Sequence, residues 1–137
     1  MTLRIEDFEG SWTLSRCIED HRAGATGRLE GEAQVASGQG GHVYIESGTL
    51  RLPGQPPLTA ERRYLWRPAP GGVAVHFDDG RFFHLMALDA PHATADHDCD
   101  PDRYEVRYDF SAWPQWRAVW EVRGPRKDYR LESLYRR

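Results

Sequence analysis

The sequence predicts an all-β chain folded as an antiparallel up-and-down barrel of about nine or ten strands, entered through a short helical turn. Apolar and polar residues alternate over short runs, the period of a half-buried strand. Gly, Pro and Asp punctuation recurs about every ten residues. No stretch has helical periodicity long enough to carry a crossover between parallel strands, so the short links favour an antiparallel meander. A meander this long closes on itself or leaves two exposed edges, and closure removes the edges. A two-sheet sandwich is the alternative. The 137 residues make one domain, 1–137, large enough for a core without disulfide or metal.

The elements follow in order. "LRIEDF" is the helical turn, with Leu3 and Phe8 able to cover the end of a sheet. "SWTLSRCIED" aligns Trp12, Leu14, Arg16 and Ile18, and "GRLEGEAQVA" aligns Leu29, Gly31, Ala33 and Val35. "GHVYIESGTLRL" is one long strand or two short ones, and "LPGQPPL" is a Pro-rich loop. "TAERRYLWRP" puts Ala60, Arg62, Tyr64 and Trp66 together. "GGVAVHFDDGRFFHLMALD" is a hairpin turning at Asp79-Gly80, with Phe82, His84, Met86 and Leu88 on one face. "HATADHDC" is a weaker strand. "DRYEVRYDF" aligns Tyr104, Val106, Tyr108 and Phe110; "QWRAVWEVRG" aligns Trp116, Ala118, Trp120 and Val122. "KDYRLESLYRR" closes the chain with Tyr129, Leu131, Ser133 and Tyr135. Gly31, Ala33, Ala60 and Ala118 on inward faces leave room for a cavity.

A net charge of −3 gives no general attraction to nucleic acid or anionic membrane. Lys127 is the only lysine; the other cations are arginines, which suit paired recognition of anions. Cys17 and Cys99 do not make a disulfide framework. No apolar run approaches the roughly 18 residues of a membrane span. "MTLRIEDFEG" lacks the apolar core of a signal peptide, so a cytoplasmic location is expected.

Arg16, Arg62 and His84 each fall in register with large apolar neighbours on their own strands. A buried arginine is costly unless it is paired or wet. Inside a barrel, two guanidinium groups and an imidazole would form a polar patch fit for a carboxylate or phosphate. Tyr64, Met86, Tyr108 and Trp120 would form the apolar wall around it. The competing readings are a face reversed by a bulge, or Arg16 paired with an acid at the barrel end. For His84 the readings are a satisfied core histidine, a ligand contact, or an axial haem or metal ligand. "HATADHDCDPD" offers His92, His97 and Cys99 but no full donor set, and an acidic solvated turn explains it, so no metal site is expected. "WPQW" reads as core packing rather than a base-stacking surface, and "GPRKDYR" as a solvated turn.

"FEGSW" entering the first strand resembles the G-x-W opening of calycin barrels: lipocalins, fatty-acid-binding proteins and nitrobindin-like barrels. That resemblance implies a basic residue of the last strand packed across Trp12, which makes Arg136 or Arg137 the counterpart here. "DGRFFH", "HDCDPDRYEVRYDF", "WPQW" and "GPRKDYRLESLYRR", together with "FEGSW", are similar to a lipocalin-like family of small bacterial and fungal proteins of unknown function. The resemblance implies a barrel and carries no activity.

The expected function is a barrel holding a small hydrophobic or amphipathic molecule, its acidic head on Arg16, Arg62 and His84. The alternatives are a cofactor-independent isomerase, cyclase or hydratase using His84 as acid or base, a haem-binding barrel, or a regulatory domain with a packed interior. The sequence names no cofactor. A homodimer is left open.

Overall fold

The computed structural model describes residues 2–137. A 3-10 turn, Ile5–Phe8, precedes ten strands: β1 (Gly10–Asp20), β2 (Ala25–Gly38), β3 (Gly41–Arg51), β4 (Leu58–Ala69), β5 (Gly72–Phe77), β6 (Phe82–Ala87), β7 (His92–Cys99), β8 (Asp102–Asp109), β9 (Trp116–Arg123) and β10 (Asp128–Arg136). They form one antiparallel sheet in the order β6-β5-β4-β3-β2-β1-β10-β9-β8-β7. Its two end strands, β6 and β7, lie side by side without a shared ladder, so the barrel is nearly closed. "GHVYIESGTLRL" is the single strand β3 rather than two. No helix among the described residues is long and apolar enough to cross a membrane.

Side-chain parity sets the inside. Trp12, Leu14 and Arg16 of β1, Leu29, Ala33 and Val35 of β2, and Leu131, Ser133 and Tyr135 of β10 are all buried. Gly31 and Gly48 face each other across β2 and β3. A Cβ on Gly31 would sit 2.0 Å from the Ser47 carbonyl oxygen and 2.5 Å from the Gly48 Cα. The close approach of these two backbones therefore requires glycine, as at the bend of a coiled strand.

Because strands alternate in direction, the two barrel ends differ. One end carries the links at 39–40, 70–71, 88–91 and 110–115, together with the 3-10 turn. It is sealed by aromatic packing. Phe8 is fully buried and sits edge-on to Trp66, Phe110, Trp113 and Trp116, with ring centroids 4.8–5.9 Å away. The tryptophans of "WPQW" thus belong to the plug. Arg137 locks it: its guanidinium lies 4.0 Å over the Trp12 ring and donates to the carbonyls of Asp7 and Glu9. Trp12 in turn donates Nε1–H to the Phe8 carbonyl at 2.8 Å. The chain's two ends therefore close one barrel end together.

One expectation needs correction. Phe82 does not share a face with His84: it is 54% exposed, whereas Phe83 and His84 are both buried. The ladder between β5 and β6 slips between Val75 and His76, so Val75 faces His84 while His76 faces Phe82. This bulge inserts Phe83 as an extra residue and turns two successive side chains inward. On β3 the polar residues are the inward ones. His42, Tyr44 and Glu46 are buried, while Ile45 is 44% exposed.

Candidate functional site

The lumen contains two chambers stacked along the axis. The inner one has a volume of about 40 Å³ and is walled by Arg16, Tyr44, Glu46, His84, Tyr108 and Tyr135 among others. The outer one, about 180 Å³, opens at the unsealed end and is bounded by Phe77, Tyr104, Tyr129 and Leu131. Arg62, Tyr64, Phe83 and Trp120 line both, so these four form the boundary between the chambers. At about 30 Å³ per water in the liquid, the inner chamber thus has room for about one water and the outer for about six.

Arg16 is a buried cation, but not a free one. It donates through Nη1 and Nη2 to both carboxylate oxygens of Glu46, at 2.6 and 2.9 Å, and through Nε to Ser133 Oγ at 2.7 Å. Tyr44 donates to Glu46 Oε1 at 2.6 Å and accepts from the Tyr135 hydroxyl at 2.7 Å. Burial opposes charge on both partners. The paired hydrogen bonds outweigh it, so the Arg16 pKa is raised and that of Glu46 lowered, and the pair stays ionised. An anion would have to displace Glu46 to reach Arg16. The acid that pairs with Arg16 lies within the lumen on β3, not at the barrel end.

Arg62 occupies the same wall under different conditions. Its strand neighbours Tyr64 and Trp66 point inward as expected, but Arg62 itself lies where the lumen widens and is exposed. Among the described residues no carboxylate lies within ion-pair distance of it. Two other cations near this rim are engaged: Arg81 with Asp79 at 2.7 Å and Lys127 with Asp102 at 2.9 Å. These two also cap vestibule rings, Arg81 over Phe77 and Lys127 over Tyr104.

His84 is held at the inner chamber by Tyr108, with Nε2 at 2.8 Å from the hydroxyl. The Tyr108 hydroxyl has no other partner among the described residues, and burial pushes its pKa up, so it keeps its proton. Nε2 and the hydroxyl share one hydrogen bond, and the ring's Nδ1 has no partner. Burial, reinforced by the nearby His97, pushes the His84 pKa down to about 3. Edge-on contacts with Phe83 and Trp120 complete the nest, at 4.6 and 5.1 Å.

This depressed pKa has a measurable consequence. Above pH 6.5 the imidazole is neutral both folded and unfolded. Between about 6.5 and 3 the unfolded chain binds a proton that the folded one refuses, so stability falls as pH falls. The slope from this group approaches about 1.4 kcal/mol per pH unit. In urea unfolding between pH 7.5 and 4.5, the wild type is expected to lose about 2–3 kcal/mol more than His84→Phe. Parallel pH profiles for the two would mean that His84 is not buried as described.

Of the residues expected at the site, Arg16, Arg62, Tyr64, His84, Tyr108 and Trp120 line the inner chamber together. Met86 lines neither chamber: it is fully buried beside Val73, towards the sealed end. Sequence reading missed Glu46, Tyr44, Phe83 and the rim rings Phe77, Tyr104 and Tyr129 as parts of one lumen. Of the metal-like stretch, His97 packs edge-on against Phe83 at 5.3 Å and Cys99 is exposed. Among the described residues no three His, Cys, Asp or Glu side chains gather as a metal site.

The fold and lumen define a nearly closed ten-stranded barrel, plugged at one end and open at the other onto an aromatic vestibule. The chain belongs to a family of unknown function, DUF6314, which matches residues 8–137. No curated protein matches the chain.

Proposed function

We propose that this barrel binds a small anionic molecule with an apolar body, taken in through the open end. The observation that carries the reading is Arg62: a cation without a carboxylate partner, set in the wall of an aromatic-lined cavity. A guanidinium there offers paired donors to a carboxylate or phosphate, and the rings beside it cover an apolar body. Arg16 neutralises Glu46, the residue opposite Arg62 across β3 and β4, so Glu46 does not repel an incoming anion. His84 contributes as a neutral hydrogen-bonding group. A general acid or base works best with a pKa near the working pH, and that of His84 lies far below it. The haem reading finds no support in the geometry, since Nε2 is engaged by Tyr108 and the inner chamber is far smaller than a macrocycle.

Calorimetric titration of the full chain with 2-naphthoate, cyclohexanecarboxylate and octanoate tests this. At least one carboxylate is expected to bind, and Arg62→Gln is expected to weaken it about tenfold or more, the loss of one charge-assisted hydrogen-bonded pair. Arg62 is exposed, so the variant should fold as the wild type does. Silence towards all three probes, or equal binding by the variant, would overturn the proposal.

A further inference from the structure

The geometry points to a narrower ligand class: a flat, ring-bearing anion of one or two fused rings, rather than an acyl chain or a saturated ring. This rests on the binding role proposed for Arg62 and adds the shape of what binds.

Two independent features lead there. The first is ring alignment. Phe77 and Trp120 each lie within 19° of the Phe83 plane, at 4.3 and 5.1 Å between centroids, and Tyr64 lies within 28° at 5.9 Å. Phe83 stacks on both Phe77 and Trp120, so these rings form one near-parallel stack in the wall, and a planar guest extends such a stack face-on where a puckered one does not. The alignment has a local cause. The bulge between Val75 and His76 turns Phe83 inward as an extra side chain, and without it Phe83 would point outward. Six of the nine residues around the outer chamber are aromatic, and only Val122 and Leu131 offer aliphatic surface. A wall serving an acyl chain would need the reverse proportion.

The second feature is size. A volume of about 180 Å³ in the outer chamber fits one or two rings with a carboxylate. Pockets for larger organic ligands usually run to roughly 300–1,000 Å³, well above either chamber. Arg62 lies beside Tyr64 at the boundary of the two chambers, so a carboxylate bound there sets its ring against the partly buried Tyr64 and Trp120.

The test compares the three carboxylates and adds naphthalene as an uncharged ring. 2-Naphthoate is expected to bind about tenfold or more tightly than cyclohexanecarboxylate and octanoate, the gain of one or two stacking contacts. It is also expected to bind more tightly than naphthalene. Trp120→Leu should remove most of the preference for 2-naphthoate over cyclohexanecarboxylate; a preference that survives the substitution would overturn the ring-stacking role. Since Trp120 is only partly buried, this variant should fold; far-UV circular dichroism checks that it does. If the three carboxylates bind equally, ring selectivity is refuted while the anion site at Arg62 stands. If none of them binds, both fall.

Discussion

Glu46→Ala is expected to destabilise the protein by about 3–5 kcal/mol and to lower Tm by on the order of 10–20 °C. The effect comes mainly from what is left behind. Arg16 is 5% exposed and spends two of its nitrogens on Glu46, so removing the carboxylate strands a buried guanidinium. Tyr44 loses its acceptor at the same time. The double variant Arg16→Met/Glu46→Gln removes the stranded charge and keeps an amide oxygen for Tyr44. It should therefore be clearly more stable than Glu46→Ala, because an apolar replacement of a buried pair is often neutral or better. Urea unfolding of the wild type and these variants decides. A double variant no better than the single one would mean that the charge pair itself is not the cause. The lowered Glu46 pKa adds a sign: the pair's contribution is present above the ordinary carboxylate pKa and is lost only as pH falls through the depressed value.

Phe8→Ala is expected to cost about 3–5 kcal/mol, the range for removing a fully buried aromatic side chain. The cavity would open among Trp66, Trp113 and Trp116, whose rings surround Phe8. Tryptophan fluorescence should then become more accessible to acrylamide, because the plug at that end loses its centre. A loss under about 1 kcal/mol with unchanged quenching would show that the end is not sealed by Phe8.

Much of this fold is legible in the sequence because parity is a strong signal wherever one face is apolar. On β1, β2, β8, β9 and β10 the alternation identifies the inward face directly, and Arg16 is carried inside by Trp12 and Leu14 on its own strand. Parity fails in two places, each for a physical reason. On β3 the most polar residues face inward, because Glu46 answers Arg16 and Tyr44 answers Glu46. Hydrophobicity alone would turn Val43 and Ile45 inward instead. On β6 a one-residue bulge makes neighbours of Phe83 and His84 on the inside, which no strict period of two can show. A hint lay in Arg16 itself: an inward arginine requires a partner, and "HVYIES" holds the only carboxylate of β3 at an alternating position. The difference between Arg16 and Arg62 was not legible, since the register sets Glu46 directly opposite Arg62, yet its carboxylate bonds Arg16 from two strands away, a choice made by packing inside the barrel.

The division between a neutralised arginine and a free one is the centre of the account, and arginine side-chain NMR tests it most directly. With Arg labelled at Nε and Cζ, adding 2-naphthoate should shift the signals of Arg62 and leave the Nε–H of Arg16 unmoved on Ser133. A shift of Arg16 with Arg62 silent would contradict the account, because the anion would then be displacing Glu46 rather than filling the open position at the boundary of the two chambers.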